Sequence, residues 1–239
     1  MAQEIRRQTE IRPIGIDMGI SYSASGSSYI TLGDTMVKAC VNVPRPCGKR
    51  LLQEVGILSI EVRYSKPHIP SSSDADLRHV LTELFERHVI LSRYPRQLIE
   101  AWVTIEEDAG GLFGACVTAL SLAFADCGIQ MLDILAATSV FAYELDGILT
   151  VAVDLSSEQV AAYKTKDPGI TQLHLAHCPN LDVVAYLMQT GQHSDEAVIQ
   201  QMLTLARAGC NLVFNEIKAA AKGYTEWLSE QAAQDNTPG

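Results

Sequence analysis

The run Gly110-Gly111-Leu112-Phe113-Gly114 has the glycine content of a loop that cradles phosphate. A P-loop also needs a Lys and a Ser or Thr directly after its glycines, and none follows here. His174 and His177 raise the chemistry of a metal pair. On a strand, side chains three positions apart point to opposite faces, so the two do not share an ion, and no other metal set is expected. Glu106-Glu107-Asp108 offers adjacent carboxylates for acid–base work, but such a run at a strand end reads as a solvated terminus. There is no G-x-S-x-G elbow. Six cysteines (Cys40, Cys47, Cys116, Cys127, Cys178 and Cys210) show no C-x-x-C spacing, and several lie in apolar runs. They read as buried, reduced thiols acting as small hydrophobes. Arg45, Lys49 and Arg50 gather on one loop, where they could touch phosphates without reading sequence. The competing reading is an exposed loop with solvated charges. Arg93 and Arg96 form a second cationic pair, and Arg96 could equally serve a salt bridge between subunits.

The elements that must position these groups follow from periodicity. Arg12 to Met18 reads as a strand, and Ser28 to Thr31, a Gly33-Asp34 turn and Met36 to Val43 read as a hairpin. In its second arm Val37, Ala39, Val41 and Val43 alternate with polar or small residues, the period of a half-buried strand. Pro44 to Arg50 is a loop, punctuated by two prolines and a glycine. Gly56 to Tyr64 is the next strand. Ser71 to Asp74 begins a helix, with Ser73 and Asp76 in the spacing of a capping box. Leu98 to Ile105 is a strand, and Leu112 to Cys127 is a helix apolar almost all round, hence central. Gly128 stands where a left-handed C-terminal residue belongs. Strands are expected at Ile134 to Tyr143, Ile148 to Asp154, Ile170 to His177 and Leu181 to Met188. A helix from Ser194 to Ala221 would bury Val198, Met202, Leu205, Gly209, Leu212, Glu216 and Ala220 as one stripe. The polar end from Ser229 to Gly239 is expected to fray. This order predicts a mixed α/β (α+β) architecture of sheets packed with helices.

Bulk properties set outer limits. The chain has 239 residues, 47% hydrophobic and 19% charged, enough for a large core without staples. Its formal net charge of −10 lacks the basic footprint of an isolated nucleic-acid binder, so contact with RNA would need a local patch or partners that supply charge. The polar N-terminus is no signal peptide and no apolar run is long enough to span a membrane, so a soluble intracellular protein with no membrane partner is expected.

Specific residues sharpen the picture. Arg12-Pro13-Ile14 resembles the opening of the first strand in the RNase PH family, and Gly26 to Val37 resembles that family's first hairpin. Tyr94-Pro95-Arg96, the pair Gly110-Gly111, the Ala115 to Ala125 helix and Asp126-Cys127-Gly128-Ile129-Gln130-Met131-Leu132-Asp133 resemble its central block. The likeness runs from about residue 11 to residue 220. Within the family, Ser92 to Arg96, Glu107-Asp108 and Gln130 to Asp133 are most similar to the mRNA-transport type of exosome ring subunit. The resemblance implies an RNase PH fold of the ribosomal protein S5 domain 2-like kind. It implies a short extension over 1–10, a first RNase PH part over 11–154, a second over 155–228 and a tail over 229–239.

RNase PH-type enzymes cleave RNA from its 3′ end with phosphate as nucleophile. The resemblance places the phosphate-binding Ser/Thr-Arg pair of active members at Leu112 and Phe113, neither of which donates a side-chain hydrogen bond. An Arg in the first long helix corresponds to Thr82, with Arg78 one turn earlier. The late acidic cluster is reduced to Asp167, set beside Pro168-Gly169 in what reads as a loop. The expected role is therefore a non-catalytic subunit of the exosome's six-membered ring, supporting 3′–5′ RNA processing and degradation. It would need no cofactor. Its expected partners are other RNase PH-like ring subunits, S1/KH cap subunits, and RNA in a central channel that the Arg45–Arg50 loop faces. Its expected location is the nucleus, including the nucleolus, and the cytoplasm. The alternative is an active phosphate-dependent 3′–5′ exoribonuclease using Asp167 and Arg78.

Overall fold

Two antiparallel-rich sheets and four helices make up the computed structural model, which describes residues 10–46, 54–66, 72–145, 147–193 and 195–235. β1 (Ile14–Met18), β2 (Gly26–Leu32) and β3 (Thr35–Val41) form a meander. On β3 the alternation is literal: Val37, Ala39 and Val41 are fully buried, while Met36, Lys38 and Cys40 face outward. β6 (Gln97–Glu107) pairs antiparallel with β3, and the two-residue β4 (Arg45–Pro46) continues on the same side of β6. β5 (Ile57–Tyr64) lies on the other side, parallel to β6. A parallel pair needs a long crossover, which α1 (Ser72–His88) supplies by packing back on β5.

α2 (Leu112–Asp126) is the centre of the molecule, with every residue from Phe113 to Phe124 buried. It lies between β2–β3 and β7 (Ala136–Leu145) of the second sheet. The approach to β2 is so close that a Cβ on Gly26 would fall 2.3 Å from the Cys127 backbone nitrogen. Polar groups carried into this layer are paired: the Ser28 hydroxyl donates to Ala119 O at 2.6 Å, and Ser121 Oγ accepts from Leu135 N at 2.9 Å.

The second sheet runs β10 (Val183–Thr190), β9 (Thr171–Cys178), β7, β8 (Ile148–Val153), all antiparallel. It draws β7 and β8 from before residue 154 and β9 and β10 from after it. α4 (Glu196–Asp235) packs on β7, β8 and β9 and reaches β1. α3 (Ser157–Lys166) covers Phe141 and Tyr143, which alternate with the Val140 and Ala142 of the main core, and the Tyr143 and Tyr163 rings stack 4.1 Å apart. Cys116, Cys178 and Cys210 are buried free thiols, and burial pushes Cys178 up to about 11 and Cys210 up to about 12. Among the described residues no helix is long and apolar enough to cross a membrane.

The structure departs from the sequence reading at four places. α3 was not expected. Ser156 caps it by accepting from Gln159 N while Gln159 Oε1 takes Ser156 N, a capping box. α1 already begins at Ser72, so Ser73 lies inside its first turn and is not its cap. The Pro44–Arg50 loop contains the β4 bridge, and its Lys49 and Arg50 lie outside the described residues. The buried stripe of α4 is Val198, Met202, Ala206, Cys210, Val213 and Ile217, so Leu212 and Glu216 turn outward. The two stripes part after Met202, where the observed one steps four residues to Ala206 and the expected one stepped three to Leu205. The same helix continues to Asp235.

Because α2 has no solvent face, truncating it has no cheap relaxation. Leu120→Ala should cost about 3 kcal/mol in urea unfolding, in the range of fully buried Leu-to-Ala changes.

Candidate functional site

The glycine pair ahead of α2 is shaped by what surrounds it. Gly110 and Gly111 have φ of 99° and 70°, left-handed values that suit glycine. A Cβ on Gly110 would meet Leu155 O and Ser157 N at 2.8 Å, and one on Gly111 would meet Arg12 Nη2 at 2.6 Å and Asp154 Oδ1 at 2.8 Å. The Thr35 hydroxyl donates to Gly110 O (2.6 Å) and accepts from Ala109 N (3.0 Å), tying the turn to the β2–β3 hairpin. Ser157 N bonds Ala109 O at 2.9 Å, tying it to α3.

Arg12 and Asp154 lock this turn in place. Arg12 Nε and Nη2 reach the two carboxylate oxygens of Asp154 at 3.0 and 2.7 Å, and the Arg12 backbone N–H adds a third bond at 2.9 Å. The remaining guanidinium bonds go to Ala109 O (3.0 Å) and Gly110 O (2.8 Å). Four of the five N–H donors that a guanidinium offers are thus spent inside the fold. Both side chains are sequestered, at 10% and 3% exposure. Asp154 itself has φ of 51°, an uncommon conformation for a residue other than glycine.

A helix N-terminus presents N–H groups and a positive dipole end to anions. At α2 that end is fronted by apolar groups. Leu112 is half-buried and Phe113 is 8% exposed, with its ring 5.1 Å from the His174 ring and 5.5 Å from that of Tyr186. His174 Nδ1 lies 2.7 Å from Ser139 Oγ, and burial pushes its imidazole down to about 4, so it is neutral at pH 7 and supplies no cation. Tyr186 is turned away to donate to Met188 Sδ at 3.3 Å. Thr82 spends its hydroxyl on Arg78 O, one turn back in its own helix, at 2.8 Å. The Arg78 side chain is exposed.

Asp167 lies elsewhere. Its carboxylate accepts from Glu144 N (2.8 Å) and Gly169 N (2.8 Å) and meets His193 Nε2 at 2.8 Å. The Glu144 bond, then His193, hold it below the usual carboxylate range. Asp154 N bonds Ser139 O on β7, level with the glycine pair, whereas Asp167 sits at Glu144. Five residues of strand separate the two levels, about 16 Å. Thus Asp167 fastens the β9 start to the β10–α4 connection. His174 and His177 have separate partners, the latter meeting Asp182 Oδ1 at 3.2 Å. Among the described residues no group of three or more metal-capable side chains converges.

The described cations of the sequence reading gather at one sheet end. Arg45 stands opposite Leu98 at the start of β6 and pairs with Glu100 at 2.6 Å while remaining 63% exposed. Arg93 ends a short 3₁₀ turn, Leu91–Arg93, and Arg96 directly precedes β6, both exposed. Arg96 has φ of 58°, and its loop is pinned by Gln130 N bonding Tyr94 Oη (2.9 Å), Gln97 N bonding Tyr94 O (3.2 Å) and Gly56 N bonding Leu91 O (2.9 Å).

Comparison with known proteins matches residues 10–130 to domain 1 of the 3′ exoribonuclease family, the RNase PH type. This chain belongs to that family. An exosome complex component Rrp41 from Pyrobaculum arsenaticum is 30% identical over 236 residues, covering 95% of this chain and 92% of the relative. The Rrp41 of Thermococcus gammatolerans is 26% identical over 239 residues, covering 96% and 92%. Among solved structures, rice Rrp46 superposes with a TM-score of 0.77 at 17% identity, over 89% of this chain and 96% of that one. The Archaeoglobus fulgidus exosome with RNA bound to the active site gives 0.67, over 89% of each chain, also at 17% identity. The expected RNase PH fold is therefore the observed one. The Arg12–Asp154 lock is invisible in the sequence, where Arg12 stands out only as part of a strand motif. The partners lie 142 positions apart and nothing local in either segment announces the other.

Two stability tests follow. Arg12→Met should cost about 3–5 kcal/mol, the penalty of taking the guanidinium away from a buried carboxylate, and adding Asp154→Asn should recover part of it. Asp167→Asn should lower the melting temperature at pH 7. A carboxyl held low when folded stabilises above its unfolded value of about 4 and loses that contribution as pH falls through the folded value. The difference from the unmodified chain should therefore vanish in acid, as followed by melting temperature against pH.

Proposed function

We propose that this chain is a non-catalytic member of the RNase PH family that serves as a subunit of an exosome ring, helping to form the channel through which RNA is processed and degraded from its 3′ end. The observation that carries the reading is Phe113. Where active relatives place a phosphate-binding Arg, this chain buries an aromatic ring against His174 and Tyr186. Around it Leu112 offers no side-chain donor, Thr82 is bonded to its own helix, and Asp167 is used about 16 Å away along β7. Ring membership is supported by relatives named exosome complex component Rrp41 that align over nearly the whole chain. The likeness to the mRNA-transport type of subunit rests on Ser92–Arg96 and Gln130–Asp133 alone. Partners would be other RNase PH-like subunits, with S1/KH cap subunits above them. Nuclear, nucleolar and cytoplasmic exosomes are its proposed setting.

Arg45, Arg93 and Arg96 are the proposed RNA contacts, together with Lys49 and Arg50, which follow Arg45 in the sequence and lie outside the described residues. A pinned loop holds its cations in place at little further entropy cost, and such cations position phosphates without reading bases.

The deciding experiment incubates the purified chain with single-stranded RNA and inorganic phosphate. No nucleoside diphosphate should be released. Release that disappears in Asp167→Asn would establish the active alternative. In a reconstituted ring, Arg93→Ala with Arg96→Ala should weaken RNA binding across sequences. It should also flatten the salt dependence by about one unit of slope for each phosphate these arginines neutralise. An unchanged slope would remove these residues from the channel.

A further inference from the structure

Leu212 and Glu216, one turn apart on α4, turn away from the core, and Leu212 is 50% exposed. They form one wall of a groove of about 450 Å³. Its other wall is Glu10, Ile11, Pro13 and Ile14, the approach to β1 and its first residue. That volume lies within the range of ligand-binding clefts. Arg12, the cation in the lining, has its guanidinium committed to Asp154. The groove therefore offers apolar surface and two carboxylates. β1 borders it and is an edge strand, hydrogen-bonded to β2 only. α4 runs beside β1: Val213 lines the groove with Ile14, and Tyr224 packs so close on Gly19 that a Cβ there would strike its ring. The helix from Val213 to Tyr224 and the strand from Ile14 to Gly19 each cover about 16 Å, so the two elements stay level. Beyond Glu216 the same flank of α4 carries the exposed Ala219 and Gly223 at helical spacing. A Cβ on Gly223 would meet nothing within 4 Å. Small groups thus leave room for a further backbone beside β1.

We propose that this edge and groove take an extended basic segment of another protein, which adds to the first sheet as a strand beside β1. The outward N–H and C=O groups of an edge recognise any extended backbone, and the side chains of the added strand supply the specificity. Those side chains alternate between the two faces of the sheet. On the inner face Ile14, Ile16 and Met18 pack toward the core, and Leu212 and Ile11 extend that surface into the groove. Apolar side chains of the segment belong there. On the outer face Asp17 is exposed. A Lys or Arg opposite it gains a cross-strand pair of opposite charge. Glu10 and Glu216 add the same preference at the groove. A second copy of the chain is a poor occupant, since it would bring Glu10, Asp17 and Glu216 of two chains, each carrying −10, to one seam. The same carboxylates repel the phosphates of a nucleic acid. β1 holds five residues, so a segment of about six, some 20 Å long, would cover it. The inference concerns a protein partner and stands whether or not the chain cuts RNA.

The purified full chain is titrated into a fluorescein-labelled hexapeptide of alternating Val and Lys, and anisotropy is read. Saturable binding is expected, with a dissociation constant on the order of 10–100 μM that rises with added salt. A hexapeptide of the same composition, with its Val residues first and its Lys residues last, should bind about tenfold more weakly, because it cannot sort the two kinds of side chain to opposite faces. Leu212→Lys should abolish binding, and Glu216→Lys should weaken it and flatten its salt dependence. Glu86→Lys, the same charge change on the exposed face of α1, should leave it unchanged. Thermal melts of the three variants show that each is folded. Hydrogen exchange at β1 amides should slow when the alternating peptide is bound. No saturable binding, equal binding of the two peptides, or binding that survives Leu212→Lys overturns the proposal. Binding that appears only in a chain lacking residues 1–9 also overturns it, by making the chain's own N-terminus the occupant. None of these results bears on the phosphorolysis assay, so the two readings fail independently.

Discussion

Arg12 carries its charge into the interior because Asp154 meets it there with both carboxylate oxygens. A buried pair of this kind is no bonus in itself, since desolvation offsets much of the attraction. Its value is positional. Through this one contact the start of β1, the end of β8 and the turn entering α2 are brought to a common point. The two glycines can occupy that turn because neither has a Cβ to strike the lock or the α3 cap. Everything that follows along the chain, the central helix and the sheet on its far side, takes its position from there.

The same lock bears on chemistry. A cation at the mouth of a helix N-terminus is what a phosphate site requires, yet this guanidinium has its donors directed to Asp154 and to two backbone carbonyls. The ring of Phe113, in the first turn of α2, packs against His174, which burial keeps neutral. A preorganised donor aimed at developing charge is worth roughly 10²–10³ in rate, and here Leu112 and Phe113 offer no side-chain donor while the Arg12 donors are aimed inward. The family's frame is thus retained, and on the proposed reading the space its reaction needs is filled by core.

Much of the frame was legible in the sequence. α2 was readable because its apolar residues leave no polar face, and the β2–β3 hairpin because Val37, Ala39 and Val41 alternate with residues that turn outward. The placing of Leu112 and Phe113 directly after the glycine pair, on which the proposed loss of the site rests, is itself a sequence feature. Other features had weaker signals. α3 buries none of its residues fully, so it lacks an apolar stripe, and only the Ser156–Gln159 capping box marked it. The phase of α4 was ambiguous because Leu205 and Leu212 are as apolar as the Ala206 and Val213 beside them, and only packing against β7, β8, β9 and β1 chooses between the two stripes. The position of Asp167 depends on its long-range bonds to Glu144 and His193, which spacing does not reveal.

The central claim is that the anion site at the head of α2 is closed, and phosphate itself is the most direct probe. Isothermal titration of the purified chain with inorganic phosphate should show no saturable heat. Saturable one-site binding tighter than about 1 mM, weakened by Arg78→Ala, would contradict the account and reopen the chain as an enzyme.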